Sequence, residues 1–518
     1  MDYGVLPELA AYPPQINVAD DLLDRHVREG RGARAALHFE GAMWTYAALQ
    51  ARANQIARVL TEDMNLSPGN RVLLRAPNNP MLVAAWFAVL KAGGICVTTM
   101  PMLRASELVH IVNKAQVSHA LCDSALAEDL DKAMEQTEVL RHLMHFSADG
   151  RGGNSLEAAM SGKPDTFDNT DTAADDVALI AFTSGTTGGS KGTVHFHRDV
   201  LAIADLFPRH TIEIKPSDVF AGSPPLAFTF GLGALVVFPM RHGASSVMVE
   251  RFGPDTMLET IGRYRCTGIY TAPTAYRAML PKVSGYDLAS LRLCVSAGEH
   301  LPQATWEAWR DATGIRIVDG IGATELLHIF VSAAGDDIRP GATGKAIPGY
   351  AARIVDDEGR PIIGPGEGRL AVRGPTGCRY LADPERQQGY VLDGWNLTGD
   401  VYRRDADGYL YYVARADDMI ISAGYNIAGP EVENALLSHP AVQECAAVGV
   451  ADEARGQIVK AFVVLRTGQS GDAAMVKALQ DHVKKEIAPY KYPRAIDFVE
   501  TLPKTQTGKV QRFKLRDG

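Results

Sequence analysis

Residues 71–100 constrain the fold more tightly than any other stretch of the chain. Arg71–Arg75 is a short, largely apolar run between turn residues and reads as a strand. Met81–Lys91 is apolar and helix-forming, Gly93-Gly94 closes it, and Ile95–Thr99 reads as the next strand. Two strands joined through a helix with such short connections run parallel, and a parallel sheet has to be covered on both faces. The pattern returns further on. Asp255–Arg265 reads as a helix, Gly268–Thr271 and Leu291–Ser296 as strands, Gln303–Thr313 as a helix and Ile315–Val318 as a strand.

The character changes near Tyr350. Asp356-Asp357-Glu358-Gly359 and Asp405-Ala406-Asp407-Gly408 are hairpin signals between β-rich runs, and helical patterns are scarce as far as Arg415. Beyond it an α+β pattern returns, with strands at Glu444–Val448 and Val459–Leu465 and a helix at Ala473–Ile487. The expectation is an α/β protein in two parts. Residues 1–414 form a large N-terminal domain of layered α/β sheets, with a small β-barrel-like subdomain at about 350–414. Residues 415–518 form a small α+β C-terminal domain.

Composition narrows the partners. With 52 basic against 61 acidic residues the net charge is -9, and no Lys/Arg block supplies the basic face of a nucleic-acid binder. The same acidity disfavours anionic membranes, and no run of 18 apolar residues offers a membrane span. The six cysteines are scattered, without a C-x-x-C pair or a His cluster at metal spacing. They read as buried free thiols of a reducing compartment. The start, Met1-Asp2-Tyr3, lacks a basic segment followed by an apolar one, so a cytoplasmic location is expected.

The strongest chemical signal comes directly after the continuous apolar run Val177–Phe182. Thr183-Ser184-Gly185-Thr186-Thr187-Gly188-Gly189-Ser190-Lys191-Gly192 combines glycines, hydroxyl residues and one lysine. Glycines let successive backbone N–H groups converge on one point, hydroxyls add donors, and the lysine adds charge, which together suit a polyphosphate. A mobile Gly/Ser linker is the bland alternative, but linkers seldom follow a buried strand directly. Gly192 follows Lys191 where a Walker A loop needs Ser or Thr, so a P-loop kinase or GTPase is disfavoured.

This loop resembles the signature of the adenylate-forming superfamily of acyl-CoA synthetases, peptide-synthetase adenylation domains and firefly luciferase. Ser190 stands where that family usually has proline. The other family motifs occur in order. Ser296-Ala297-Gly298-Glu299-His300 resembles the segment along the adenine, and Asp319-Gly320-Ile321-Gly322-Ala323-Thr324-Glu325 the nucleotide motif that ends in Thr-Glu. Gly394–Asp400 resembles the ribose motif, Arg415–Ile421 the hinge motif, and Pro503–Lys509 the C-terminal lysine motif. The resemblance implies that ATP is bound by Thr183, Ser184, Gly185, Thr186, Thr187, Lys191, Gly298, Glu299, His300, Asp319, Gly320, Ile321, Asp400 and Arg415. It implies that Thr324 contacts the α-phosphate, that Glu325 helps to hold Mg²⁺, and that Lys509 bridges carboxylate and α-phosphate. Asp417 becomes the pivot of a mobile C-terminal domain, and Ala423, Gly424 and Tyr425 the face along which coenzyme A passes.

The substrate reading is finer. Pro225–Gly231 aligns with the family's pocket wall, with Phe228 at an aromatic gate, and lacks the aspartate that pairs with an α-amino group in amino-acid-activating members. The stretch through Glu325-Leu326-Leu327-His328-Ile329-Phe330 resembles the benzoate-CoA ligase group, most of all its 2-aminobenzoate (anthranilate) branch. Thr229, Phe230, Ala297, Gly322, His328 and Ile329 then line the aryl pocket together with Phe228. His328 is as readily a satisfied core histidine as a ligand contact. The implied substrate is a small aromatic carboxylic acid, in the order 2-aminobenzoate, benzoate, hydroxybenzoates. Transfer of the acyl group to a carrier protein, and a catalytically silent binding protein on this fold, stand as alternatives. The group tends towards homodimers, and nothing in the sequence marks an interface.

Overall fold

The computed structural model describes residues 6–182, 191–422, 425–452, 455–487, 489–505 and 509–516, with side chains at all of these except 417, 421, 425, 426 and 456. The crossover read from residues 71–100 is present: Arg71–Arg75 and Ile95–Thr99 pair in parallel, joined by helix Pro80–Lys91. They sit inside a six-stranded sheet in the order His142–Phe146, Val117–Asp123, Arg71–Arg75, Ile95–Thr99, Val177–Phe182, Gly192–Phe196. All neighbours in it are parallel except the last pair. The Gly-rich loop therefore connects two antiparallel strands, Phe182 facing Gly192, and does not lead into a helix as a P-loop does.

A nine-stranded sheet forms the second layer. Its parallel middle runs Ile317–Gly322, Leu293–Ser296, Gly268–Thr271, Val219–Gly222, Ser245–Val247, Ala35–Phe39, and both edges are antiparallel. Two of these strands start two residues later than the sequence reading placed them. For Ile317 the reason is local: Gly314 takes φ 75° to leave the preceding helix, and the Thr313 hydroxyl accepts the Ile315 N–H.

Helix Pro80–Lys91 is buried at every residue, which explains why its sequence shows no polar face. Pro80 opens it and the Asn79 side chain caps it by accepting the Leu82 N–H at 3.0 Å. At its other end the Lys91 ammonium lies 2.5 Å from Asp24, the two side chains 1% and 9% exposed. Asn169 and Gln50 complete the hydrogen bonds of that carboxylate.

From Ala351 to Arg415 the chain forms a five-stranded antiparallel sheet. Both hairpin signals hold: in the second, the Asp405 carboxylate accepts the N–H groups of Asp407 and Tyr409, and Gly408 takes φ 84°. Helix Pro384–Tyr390, unread in the sequence, starts on the cap Asp383 and on proline at its first position. The small C-terminal domain packs helices Gly429–Leu437 and Ala473–Glu486 on a sheet built around Val442–Asp452 and Gly456–Leu465, both longer than the sequence reading. All six cysteines are free and buried. Among the described residues no helix is long and apolar enough to cross a membrane.

Candidate active site

Strands Leu293–Ser296 and Ile317–Gly322 lie side by side and parallel, so the loops at their carboxyl ends open at one edge of the sheet, where ligands of such sheets collect. The first loop is Ala297-Gly298-Glu299-His300. Gly298 takes φ 89°, and a Cβ on it would point to within 3.9 Å of the Lys509 Cε. Lys509 of the C-terminal domain is thus in the cleft. It is tied to Thr505, whose N–H donates to the Lys509 carbonyl at 2.7 Å and whose hydroxyl accepts the Lys509 N–H at 3.1 Å. Lys509 is exposed, yet the protein around it partly desolvates the ammonium and draws its pKa below the ordinary lysine value. Glu299 and Asp400 oppose that shift, while Arg415 adds to it.

Thr324 and Glu325 form a single tight turn after the second strand. Buried His195 reaches the Thr324 carbonyl through Nε2 at 2.8 Å. Burial lowers its pKa to about 4, against the pull of that carbonyl, so the ring is neutral and Nε2 carries the proton. The Tyr380 hydroxyl donates to Glu325 Oε1 at 2.8 Å. Tyr380 is set by Gln387, which accepts the Tyr380 N–H and donates to the Cys378 carbonyl, both at 2.8 Å. Lys191 is close enough to act on the Cys378 thiol. Leu327 then takes φ 72°, a backbone state that non-glycine residues seldom adopt outside tight functional turns.

Asp319 is half-buried beside Ser296, with Oδ1 closed to water, and desolvation raises its carboxyl pKa to about 8 against the pull of Ser296 and the Gly320 N–H. It is therefore largely protonated at neutral pH. Ile321 and Gly322 continue that strand to the cleft. Asp400 and Arg415 face each other across neighbouring strands with Nη1–Oδ1 at 3.4 Å. Gly399, at φ 77°, leaves room for the guanidinium, which a Cβ there would approach to 3.1 Å.

Of the residues expected to line an aryl pocket, Thr229, Ala297, His328 and Ile329 are buried, Phe228 and Phe230 are partly buried, and Gly322 passes so close to the His328 backbone that a Cβ on it would lie 2.8 Å from the His328 carbonyl. The His328 ring packs edge-on to Phe238 with centroids 4.5 Å apart, and against Phe230 at 5.7 Å and Phe207 at 6.0 Å. Gly233 makes space for it, since a Cβ there would lie 2.4 Å from His328 Cδ2. Among the described residues neither ring nitrogen is in hydrogen-bond geometry with a partner, although the Phe230 carbonyl is near enough to draw on the ring. Burial lowers the pKa of His328 to about 3, against that carbonyl, so the imidazole is neutral.

The His300 side chain, assigned to the nucleotide from sequence, has partners in both domains. It stacks on Tyr412 at 5.3 Å and meets the Asn434 amide of the C-terminal domain at 3.2 Å. Tyr380, His195, Tyr412 and Asn434 were not singled out from sequence. Of the other expected residues, Thr183, Ser184, Gly185, Thr186, Thr187, Ala423 and Gly424 lie outside the described residues, and Asp417 and Tyr425 are described in backbone only.

Residues 23–380 match the model of the AMP-binding enzyme family and residues 431–509 that of the AMP-binding enzyme C-terminal domain. The chain is 35% identical over 520 residues to a benzoate-CoA ligase of Thauera aromatica, covering 99% of this chain and 98% of that one. It superposes on the crystal structure of the anthranilate CoA ligase AuaEII in complex with anthranoyl-AMP with a TM-score of 0.93, at 35% identity and 98% coverage of both chains. Against a benzoate CoA ligase from Burkholderia xenovorans LB400 the TM-score is 0.88, at 31% identity, covering 97% of this chain and 100% of that one.

Proposed function

Because the chain belongs to the AMP-binding enzyme family, within its benzoate-CoA ligase group, we propose that it is an ATP-dependent aryl-CoA ligase whose preferred acid is 2-aminobenzoate. The observation that carries the choice of acid is His328. It is a neutral, buried imidazole among aromatic rings, with neither nitrogen in hydrogen-bond geometry among the described residues and only the Phe230 carbonyl near enough to draw on the ring. Buried polar groups without partners are exceptions in folded proteins. An amino group ortho to the carboxylate donates to the bare ring nitrogen and supplies the partner. The likeness to a ligase solved with anthranoyl-AMP supports the same acid. Benzoate and hydroxybenzoates are the second reading.

Adenylation brings a carboxylate against a phosphate, and two anions approach only where positive charge is already in place. Lys509, beside Gly298 and within the field of Asp400 and Glu299, holds the carboxylate near the α-phosphate. Thr324, its carbonyl fixed by His195, turns its side chain to that phosphate. The Gly-rich loop Thr183–Thr187 and Lys191 hold the departing pyrophosphate. Gly298, Glu299 and the Asp319-Gly320-Ile321 backbone face the adenine, and Asp400 with Arg415 the ribose. Among the described residues no group of three or more His, Cys, Asp or Glu can hold a metal by itself. A single carboxylate suits Mg²⁺, whose remaining positions go to water and phosphate oxygens. Glu325, oriented by Tyr380, would hold it, and when bound the ion neutralises phosphate charge. The C-terminal domain then turns about Asp417, with the boundary after residue 414, and Ala423, Gly424 and Tyr425 guide the coenzyme A thiol to the adenylate carbonyl.

A competition assay tests the acid. Equal benzoate, 2-aminobenzoate and 2-hydroxybenzoate are supplied with ATP, Mg²⁺ and coenzyme A, and the thioesters are read by mass spectrometry. The expected result is 2-aminobenzoyl-CoA in large excess, with His328→Phe lowering its preference over benzoate about tenfold, the worth of one buried hydrogen bond. An equal mixture, or a preference untouched by His328→Phe, overturns the ortho-group contact. A product that forms only when a carrier protein replaces coenzyme A overturns the choice of acceptor.

A further inference from the structure

We propose that Asn78 is a positioning residue for acid selectivity, holding the wall of the aryl pocket from the opposite sheet; this rests on the aryl-acid reading of the pocket. Asn78 belongs to the loop after strand Arg71–Arg75 of the six-stranded sheet, whereas the wall comes after strand Val219–Gly222 of the nine-stranded one. Its side chain is 5% exposed and reaches across with both halves of its amide. Nδ2 donates to the Pro224 carbonyl at 3.0 Å and Oδ1 accepts the Leu226 N–H at 2.8 Å.

These two bonds flank Pro225. Pro224 and Pro225 have no N–H of their own, so this turn cannot be fixed by an ordinary ladder, and the asparagine amide takes the place of a neighbouring strand. The residues after Pro225 are coupled rigidly to it. The Pro225 carbonyl accepts the Phe228 N–H at 3.0 Å, and Gly231 passes so close that a Cβ on it would lie 2.2 Å from the same oxygen. A shift of Pro225 therefore moves Phe228, Thr229 and Phe230 together. Asn79, next in sequence, has separate duties: it caps the helix and donates to Asp123 at 2.8 Å and to Glu250 at 3.0 Å. Removing the Asn78 side chain thus leaves the helix cap in place and unpairs two backbone groups of the wall.

The test compares Asn78→Ala and the near-isosteric Asn78→Asp with Asn54→Ala in the full chain. Asn54 is also 5% exposed, and it donates to the Asp165 carbonyl at 2.7 Å, outside the wall. Steady-state constants are measured for ATP and for the two acids that the wild type uses best, with thermal midpoints alongside. For Asn78→Ala the expected result is an acid KM raised about tenfold, and a kcat/KM ratio between the two acids compressed at least about threefold. The KM for ATP stays within about twofold. Asn78→Asp, which keeps the acceptor for Leu226 but sets a carboxylate oxygen against the Pro224 carbonyl, is impaired in the same constants at least as much. Asn54→Ala lowers the midpoint without moving acid KM or the ratio. The proposal is overturned if both Asn78 variants change kcat alone, or if Asn54→Ala moves the ratio as much. A wild type whose two best acids are not aromatic sinks the aryl reading instead, and the role of Asn78 is then judged on those acids by the same ratio.

Discussion

Lys509→Ala is expected to slow formation of the acyl adenylate by about 10²–10³-fold, the usual loss when one preorganised charge is removed from a developing transition state. Conversion of supplied acyl-AMP to acyl-CoA should stay within about threefold of wild type. The reason is positional. Lys509 reaches the cleft only through the C-terminal domain, against Gly298 and among Glu299, Asp400 and Glu325. Its charge serves the step in which two anions meet, and the later thiol attack brings no second phosphate to the carbonyl. Desolvation by the protein around it holds the ammonium pKa below the ordinary value of 10.5. The charged form is lost as pH rises through that lowered value. The alkaline limb of kcat/KM for ATP, which reports the free enzyme, should therefore fall earlier than an ordinary lysine would allow, and Lys509→Arg should move it upward. Single-turnover measurements of each half-reaction separate the cases. A Lys509→Ala protein that fails equally in both would mean that the lysine is needed to assemble the site and does not act on one step.

The candidate site could be named from sequence because its parts are backbone motifs or charged residues in or beside strands and turns. Gly298, Thr324, Glu325, Arg415 and Lys509 stand in turns or at strand ends, and Asp319 and Asp400 within strands, in motifs whose glycines and hydroxyls can be read in order along the chain; Lys509 lies in the field of Glu299, Asp400, Arg415 and Glu325. The parallel core was legible for a similar reason: helix Pro80–Lys91 is apolar on every side, and only burial on all its faces accommodates that. The supports were not legible. Tyr380 acts on Glu325 across 55 residues, Asn434 on His300 across 134 and Asn78 on Pro224 across 146. No local pattern announces a hydrogen bond between residues so far apart. His300 shows the limit from the other side. Its place in the motif is clear from sequence, but its ring is taken by Tyr412 and Asn434, because the C-terminal domain rests there.

Lys91→Met should produce the largest loss of stability of any conservative change in the N-terminal domain, about 3–5 kcal/mol, because it leaves the Asp24 carboxylate buried without its counter-charge. The side chains are nearly closed to water and the ammonium meets both carboxylate oxygens at 2.5 Å. Asp24→Leu should do comparable damage for the converse reason, stranding the ammonium. The double variant Lys91→Met with Asp24→Leu should recover most of the loss, since two apolar chains of similar size avoid the desolvation that the ion pair only just offsets. Asn169 and Gln50 lose an acceptor in that protein, but both are partly exposed and can turn to water. Denaturant midpoints for the two singles and the double close the cycle, and additive losses would mean that the charges are not coupled. The consequence reaches the cleft, because the helix that Lys91 anchors at one end carries Asn79 and, one residue before it, Asn78 at the other. If that helix is the strut between core and pocket wall, Lys91→Met should raise the acid KM at temperatures well below its unfolding midpoint, and the double variant should restore it along with the stability.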